Sequence, residues 1–355
     1  MKPHLVSPAR LAACLLLTFS VLASAEERIE KGSERQRREH LTRIGVDRWH
    51  QAGFRGKGVK VAILDSGFQG YRDFLGRALP ARVTARSFRE DGNLEARESQ
   101  HGILCGEVIH ALAPEAELLF ANWEASTPDS FLAAVRWARE QGARVISCSV
   151  IVPSWSDGEG GGPVHRELAR ILGDGSRAGD VLMFCCAGNT AERHWSGAFR
   201  DAGRGFHAWQ GRTIDNPIQP WGSGRVSIEV CGAAGELELS LWETTTGRLL
   251  QRTRSWPGNG GNCAIIRFSP QSEQSYAVRV RAVDGNLKRF HLYVLGGGLG
   301  HATAAGSIGF PGDGESVITV GAVDSRGRRV SYSSCGPNSR RPKPDLVACV
   351  PFPSL

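Results

Sequence analysis

Two hydrophobic textures share this chain, and the second interrupts the first. From about Ile44 to Gly188, apolar strand-like runs alternate with helical segments. Val59 to Leu64, Ala116 to Ala121, Ala143 to Val150 and Val181 to Cys186 read as strands buried on both faces, because their apolar runs leave no polar side for water. His101 to Leu112 reads as a helix that stops before Pro114. Thr127-Pro128-Asp129 opens another, with Thr127 as its cap and Pro128 in its first turn. Phe131, Leu132, Val135 and Ala138 then recur at helical spacing, and Gly142 closes the helix. Such alternation predicts a parallel sheet covered by helices.

After Asn189 the helical signal disappears. Short alternating segments follow: Arg225 to Val230, Leu237 to Trp242, Leu249 to Ser255, Ala264 to Phe268, Tyr276 to Val283 and Phe290 to Val294. Turn sequences such as Asp284-Gly285-Asn286 and Gly258-Asn259-Gly260-Gly261 separate them, which is the pattern of a small β-sandwich. Past Gly309 an apolar strand, Ser316 to Val323, restores the first texture. The fold class is therefore α/β with an all-β insertion. Residues 195–300 form the sandwich, and 44–194 and 301–355 are the two parts of the α/β domain it divides.

Residues 1–25 read as a secretory signal peptide: Lys2 and Arg10, an apolar run from Leu11, and the small-x-small site Ala23-Ser24-Ala25. Cleavage there makes Glu26 the first residue of an exported chain. Leu11-Ala12-Ala13-Cys14 has the form of a lipoprotein box but precedes most of the apolar run. Residues 26–43 are almost wholly polar and read as a solvated, partly helical linker. The formal net charge of +7 falls to +5 without Lys2 and Arg10, and no dense basic run is interleaved with aromatics. That disfavours nucleic acid as a partner, and no later segment is apolar enough to span a membrane. There is no CxxC pair to suggest zinc. Cys105, Cys148, Cys185 and Cys186 lie in apolar runs and read as buried thiols. Cys231 and Cys263 lie at strand borders of the insertion and are the best-placed pair for a disulfide, with two free thiols as the alternative.

Three polar residues sit where a parallel sheet presents ligands, beyond the carboxyl ends of its strands. Asp65 follows Val59 to Leu64, His101 opens a helix, and Asn189 follows Val181 to Cys186. A carboxylate can orient an imidazole, the imidazole can deprotonate a hydroxyl, and an amide can donate to an oxyanion. Taken singly, each has a plainer reading, as a turn former, a surface histidine and a turn asparagine. The Gly-rich stretch Asp157 to Gly162 lacks the Lys-Ser/Thr of a phosphate loop and reads as a flexible surface loop. Trp195 and His207-Ala208-Trp209 read as packing at the insertion boundary.

The local sequences favour the catalytic reading. Gly56-Lys57-Gly58-Val59-Lys60-Val61-Ala62-Ile63-Leu64-Asp65-Ser66-Gly67 resembles the aspartate motif of subtilisin-like serine proteases. Gln100-His101-Gly102-Ile103-Leu104-Cys105 resembles their histidine motif, and Cys186-Ala187-Gly188-Asn189 their oxyanion-asparagine segment. Val317 to Asp324, Tyr332 to Pro337 and Lys343 to Ala348 resemble the run before their serine motif. The order Asp, His, Asn is that of the family. The resemblance implies a three-layer subtilisin-like fold, a secreted monomeric endopeptidase and polypeptide substrates. It makes Asp65 the orienting acid, His101 the base and Asn189 the oxyanion donor. Ser149, Val150 and Gly188 become the edge that binds substrate backbone. No cofactor is called for; calcium is common in the family, but no compact acidic loop assigns it, and no metal ligand is named.

Three departures accompany the resemblance. The family's Gly-Thr-Ser-x-Ala-x-Pro does not occur in the sequence, and Ser354 is too close to Asp345 to replace it. Without that nucleophile no acyl-enzyme forms, so the chain as written is expected to hydrolyse nothing, and the loss of pattern after Ala348 reads as a reading-frame accident. A secreted peptide-binding protein or a gene fragment are the alternatives. Ile151 replaces a Gly of the substrate-binding edge, and Ile103-Leu104-Cys105-Gly106 replaces Thr-x-Val-Ala after the histidine.

Overall fold

The computed structural model describes residues 33–96, 99–222, 224–338 and 342–354. The expected signal peptide and the start of the polar linker lie outside these residues. Among them, no helix is long and apolar enough to cross a membrane.

The first α/β segment holds helix α1 (33–43), α2 (Val46–Gln51), strand β1 (Lys60–Leu64), β2 (Val83–Phe88), α3 (His101–Leu112), β3 (Glu117–Trp123), α4 (Pro128–Glu140), β4 (Val145–Cys148), α5 (Pro163–Leu172) and β5 (Leu182–Cys186). Ten strands follow: β6 (His194–Ala198), β7 (Asn216–Pro220), β8 (Val226–Ala233), β9 (Leu237–Glu243), β10 (Arg248–Arg254), β11 (Trp256–Gly258), β12 (Gly261–Phe268), β13 (Tyr276–Ala282), β14 (Arg289–Leu295) and β15 (Gly297–Leu299). β16 (Ile318–Val323) and β17 (Leu346–Cys349) complete the first fold.

β17, β16, β5, β4, β1, β3 and β2 form one parallel sheet in that order. β1 is an interior strand, because the chain builds β3 and β2 on one side of it and β4 onward on the other. The carboxyl end of such a strand opens into a crevice. On one face, α4 and α5 bury Phe131, Leu132, Val135, Leu168 and Ile171 against Leu64, Ala121, Ile146 and Met183. On the other, α3 buries Ile103 with Val61, Ile63, Phe68 and Phe120. That second cover does not reach the far strands. Leu182 and Leu346, which lie on that face, are each 53% exposed.

β6 to β15 make two five-stranded antiparallel sheets, ordered β10-β9-β13-β7-β15 and β11-β12-β8-β14-β6. Their inner faces share a core that includes Val226, Ile228, Leu239, Leu241, Val278 and Leu292. Trp195 and Trp209 are buried in it, packed around His207 and Phe290. Cys231 and Cys263 are free thiols, buried together with Tyr293. The β8–β12 register shifts between Asn262 and Ala264, so Cys263 falls in the irregularity, and its sulfur faces the carbonyls of Ser154 and Gly261. Cys148 and Cys185 are buried, whereas Cys105 and Cys186 are only partly so.

Two expectations need correction. Residues 33–43 are a docked helix and not a solvated linker. Arg37 and His40 are buried, and Arg37 pairs with Glu107 of α3 and bonds the Pro353 carbonyl. His40 packs edge-on against Phe352. Nor is Asp157 to Gly162 a free loop. Asp313 accepts from Ser156 Oγ at 2.5 Å and from the Gly160 amide at 3.1 Å. The buried Asn338 amide bonds the Gly158 carbonyl at 3.0 Å. The glycines let this backbone lie directly on the sandwich. A Cβ on Gly158 would come 2.6 Å from the His291 ring, and one on Gly162 would strike the Asn259 carbonyl. Opposite them, a Cβ on Gly232 would strike the Asp157 carbonyl.

This contact can be isolated from backbone strain. Gly232 has φ +65° and Gly247 φ +68°, but nothing lies near a Cβ at Gly247. Both substitutions to Ala incur positive-φ strain of about 1 kcal/mol. Only Gly232→Ala adds the clash, so its melting temperature should fall by roughly 5 °C or more beyond that of Gly247→Ala. Equal shifts in thermal unfolding would contradict the docking.

Candidate active site

Asp65 stands at the carboxyl end of β1, its amide bonded to the Ala121 carbonyl of β3 at 3.0 Å. Its side chain is fully buried. One oxygen, Oδ1, accepts the Ser66 and Gly67 amides at 2.7 and 3.2 Å. That leaves Oδ2 for the first residue of α3, and His101 Nδ1 lies 2.7 Å from it.

Two glycines set this meeting. The Gly102 amide donates to the Gly67 carbonyl at 2.7 Å, stitching the start of α3 to the turn after Asp65. A Cβ on Gly102 would sit 2.6 Å from the Phe68 ring and 2.7 Å from that carbonyl. A Cβ on Gly67 would run into Ser99. Only hydrogen at both positions permits the approach. The glycines of the Asp-Ser-Gly and His-Gly motifs thus have a steric reason.

With Nδ1 donating to Asp65, the neutral ring presents the Nε2 lone pair outward. Nε2 has no hydrogen-bond partner among the described residues, and the His101 side chain is half exposed. The pKa of His101 is raised well above the ordinary imidazole value. The bond to Asp65 is the largest cause, followed by contact with Cys105; burial opposes both. Cys105, one helical turn on, places its sulfur 3.8 Å from Asp65 Oδ2 and 4.0 Å from His101 Nδ1.

Ser149, Val150 and Gly188 lie past the ends of β4 and β5, on the same edge of the sheet as Asp65. Two strand spacings, about 10 Å, separate β1 from β5. Gly188 has φ +94°. Ile151 closes over it: a Cβ at Gly188 would meet Ile151 Cγ2 at 3.4 Å. The following residue, Asn189, is exposed. Its Oδ1 accepts from the Arg193 guanidinium, which also bonds its main-chain carbonyl at 2.9 Å. Held this way by its oxygen, the amide keeps an NH₂ group with no hydrogen-bond partner among the described residues. Arg193 is itself buried and stacked over Trp221 at 4.4 Å. Ser334 supports the same loop. Its amide donates to the Gly188 carbonyl, and its hydroxyl accepts the Thr190 amide, both at 3.0 Å.

Asp65 and His101 are therefore brought into contact, while Asn189, Ser149, Val150 and Gly188 share their edge of the sheet. Sequence reasoning missed Arg193, Ser334 and Cys105. The i,i+4 spacing of His101 and Cys105, which puts both on one face of a helix, was the available signal for the last. Chemically, an exposed imidazole held by Nδ1 on a buried aspartate can serve as a base, and a clamped amide can donate to an anion.

The subtilase family model matches residues 56–230 and 230–349. Among solved structures, the CspB protease of Clostridium perfringens is 13% identical, over 85% of this chain and 76% of that one, with TM-score 0.53. The likeness shows a shared fold. The nisin leader peptidase NisP from Lactococcus lactis is 12% identical, over 80% of this chain and 61% of that one, with TM-score 0.35. No curated protein sequence matches.

The raised His101 pKa fixes the sign of a pH effect. Its contribution to stability is fully present below the unfolded imidazole value of about 6.5 and is lost as pH rises through the higher folded value. In Asp65→Asn the NMR titration midpoint of His101 should drop toward about 6.5, by roughly one unit or more. A midpoint unchanged by that substitution would mean that Asp65 does not charge the ring.

Proposed function

Because the chain belongs to the subtilase family, a family of serine peptidases, we propose that its site is the acid–base half of a secreted endopeptidase centre acting on polypeptides. The observation that carries this reading is the 2.7 Å bond from His101 Nδ1 to buried Asp65. Asp65 orients the ring and stabilises its protonated form. Nε2 takes the proton of an attacking serine hydroxyl and returns it to the leaving amine. The Asn189 amide donates to the oxyanion of the tetrahedral intermediate, a contribution typically worth about 3 kcal/mol of barrier. Extended polypeptide lies along Ser149 and Val150 and past Gly188. Export follows from the expected signal peptide.

The 355 residues contain no Gly-Thr-Ser-x-Ala-x-Pro to supply the hydroxyl. Ser354 donates to Glu107 at 2.8 Å and has no place beside His101. By themselves these residues bind polypeptide without cleaving it. Ile151, closing over Gly188, narrows the edge where a substrate backbone would pair.

Two measurements on the purified chain test this. A fluorophosphonate should leave it unlabelled, and unfolded casein should shift the NMR signals of His101 without being degraded. Stoichiometric labelling that a single Ser→Ala change abolishes would show a nucleophile within the chain. Failure of polypeptide to perturb His101 would remove the binding role.

A further inference from the structure

The third residue of the Asp65–His101 contact has no part in the chemistry above. Cys105 turns its sulfur toward the same carboxylate oxygen that His101 holds, one helical turn below the ring. Asp65 Oδ2, His101 Nδ1 and Cys105 Sγ lie within 4.8 Å of one another, each a metal-ligand atom.

The three edges of this triangle measure 2.7, 3.8 and 4.0 Å. The circle through its corners has a radius of about 2.1 Å, against Zn–N and Zn–O bonds of about 2.0–2.2 Å and Zn–S bonds of about 2.3 Å. An ion at its centre reaches all three donors with shifts of a few tenths of an ångström. We propose that Asp65, His101 and Cys105 bind a thiophilic divalent cation, with Zn²⁺ as the type case.

The donor set fits that class. One thiolate, one imidazole nitrogen and one carboxylate suit a borderline-soft ion and not Ca²⁺ or Mg²⁺, which take oxygen. The thiolate and carboxylate carry two negative charges, which a divalent ion cancels. Three protein ligands leave a fourth position for water, and the half-exposed side of His101 provides the way in. Asp65 is held in place by the Ser66 and Gly67 amides on its other oxygen, so the carboxylate is already oriented. The neighbouring thiols do not compete well. Burial raises the pKa of Cys148 and pushes that of Cys186 up to about 12, so both stay protonated.

Binding expels the Cys105 thiol proton to solvent, and the ring proton leaves Nδ1 for Nε2 as the ion takes its place. The ion then occupies Nδ1 and leaves Nε2 protonated, so the ring can no longer accept a proton from a hydroxyl. On the reading of the site as a peptidase base, the cation is an off-switch for it. Cation binding itself does not depend on that reading.

Cobalt tests this directly, because a thiolate bound to Co²⁺ absorbs in the near ultraviolet. The reduced full chain should develop that band and saturate at one equivalent, and Zn²⁺ should bleach it. Cys105→Val should abolish it, Asp65→Asn should weaken binding roughly 10-fold or more, and Cys335→Ala and Cys349→Ala should leave it unchanged. Independently of folding in the variants, Zn²⁺ should protect Cys105 of the unaltered chain from iodoacetamide, as read by peptide mass. No band, a band that survives Cys105→Val, or alkylation of Cys105 undiminished by Zn²⁺ would overturn the proposal. A positive band with no effect of casein on His101 would sink the peptidase-type reading and keep the cation site.

Discussion

The backbone bond from Gly102 to the Gly67 carbonyl, 2.7 Å long, is the constraint from which the site follows. It joins two segments that the chain delivers from different places: the turn at the end of β1 and the first turn of α3. Each segment could form alone. Only their close approach puts an imidazole on a buried carboxylate, and that approach leaves no volume for a side chain at either glycine. The carboxylate is fully removed from water, so its remaining lone pairs must be filled. The Ser66 and Gly67 amides fill Oδ1, and His101 with Cys105 fills Oδ2. The same saturation of Asp65 that makes the base also gathers three donors around one point.

The insertion is tied to the sheet by a related device. Glycines at 158, 162 and 232 let main chain lie on main chain, and Asp313 and Asn338 bind the amides and carbonyls that this exposes. The sandwich is thus anchored next to the strands that carry Gly188 and Asn189. Its first strand, β6, begins right after Arg193, whose guanidinium fixes the orientation of the Asn189 amide. Position in the chain and position in the fold agree here, with the insertion starting where the asparagine loop ends.

Much of this was legible in the residues. Helix α3 runs from His101 to Leu112 as the apolar spacing and Pro114 imply. The continuous run ending in Leu64 is an interior strand, because only a strand covered on both faces tolerates it. The inserted strands with alternating patterns, such as Tyr276–Ala282, were also visible. β6, β7 and β15 were not, since Gly and Pro interrupt their patterns and their pairing comes from the rest of the sheet. The Gly-rich loop looked mobile because composition records local freedom and not the surface that removes it. Thr127 was read as a side-chain cap for α4, but its hydroxyl bonds that of Ser130 instead. Arg193 and Cys105 escaped for a different reason. Nothing local distinguishes a surface arginine from one that clamps an amide, and an apolar run makes a cysteine look inert.

If the glycine contact sets the site, it can be broken without touching any polar side chain. The proton shared by His101 and Asp65 should give a resolved resonance far downfield of the amides, and Asp65→Asn identifies it by removing it. Gly102→Ala keeps Asp65, His101 and Cys105 but forces α3 away from the Gly67 carbonyl. One-dimensional proton NMR of the folded Gly102→Ala chain should show that resonance lost or moved well upfield. The same resonance at an unchanged shift in that variant would contradict the clamp as the origin of the site.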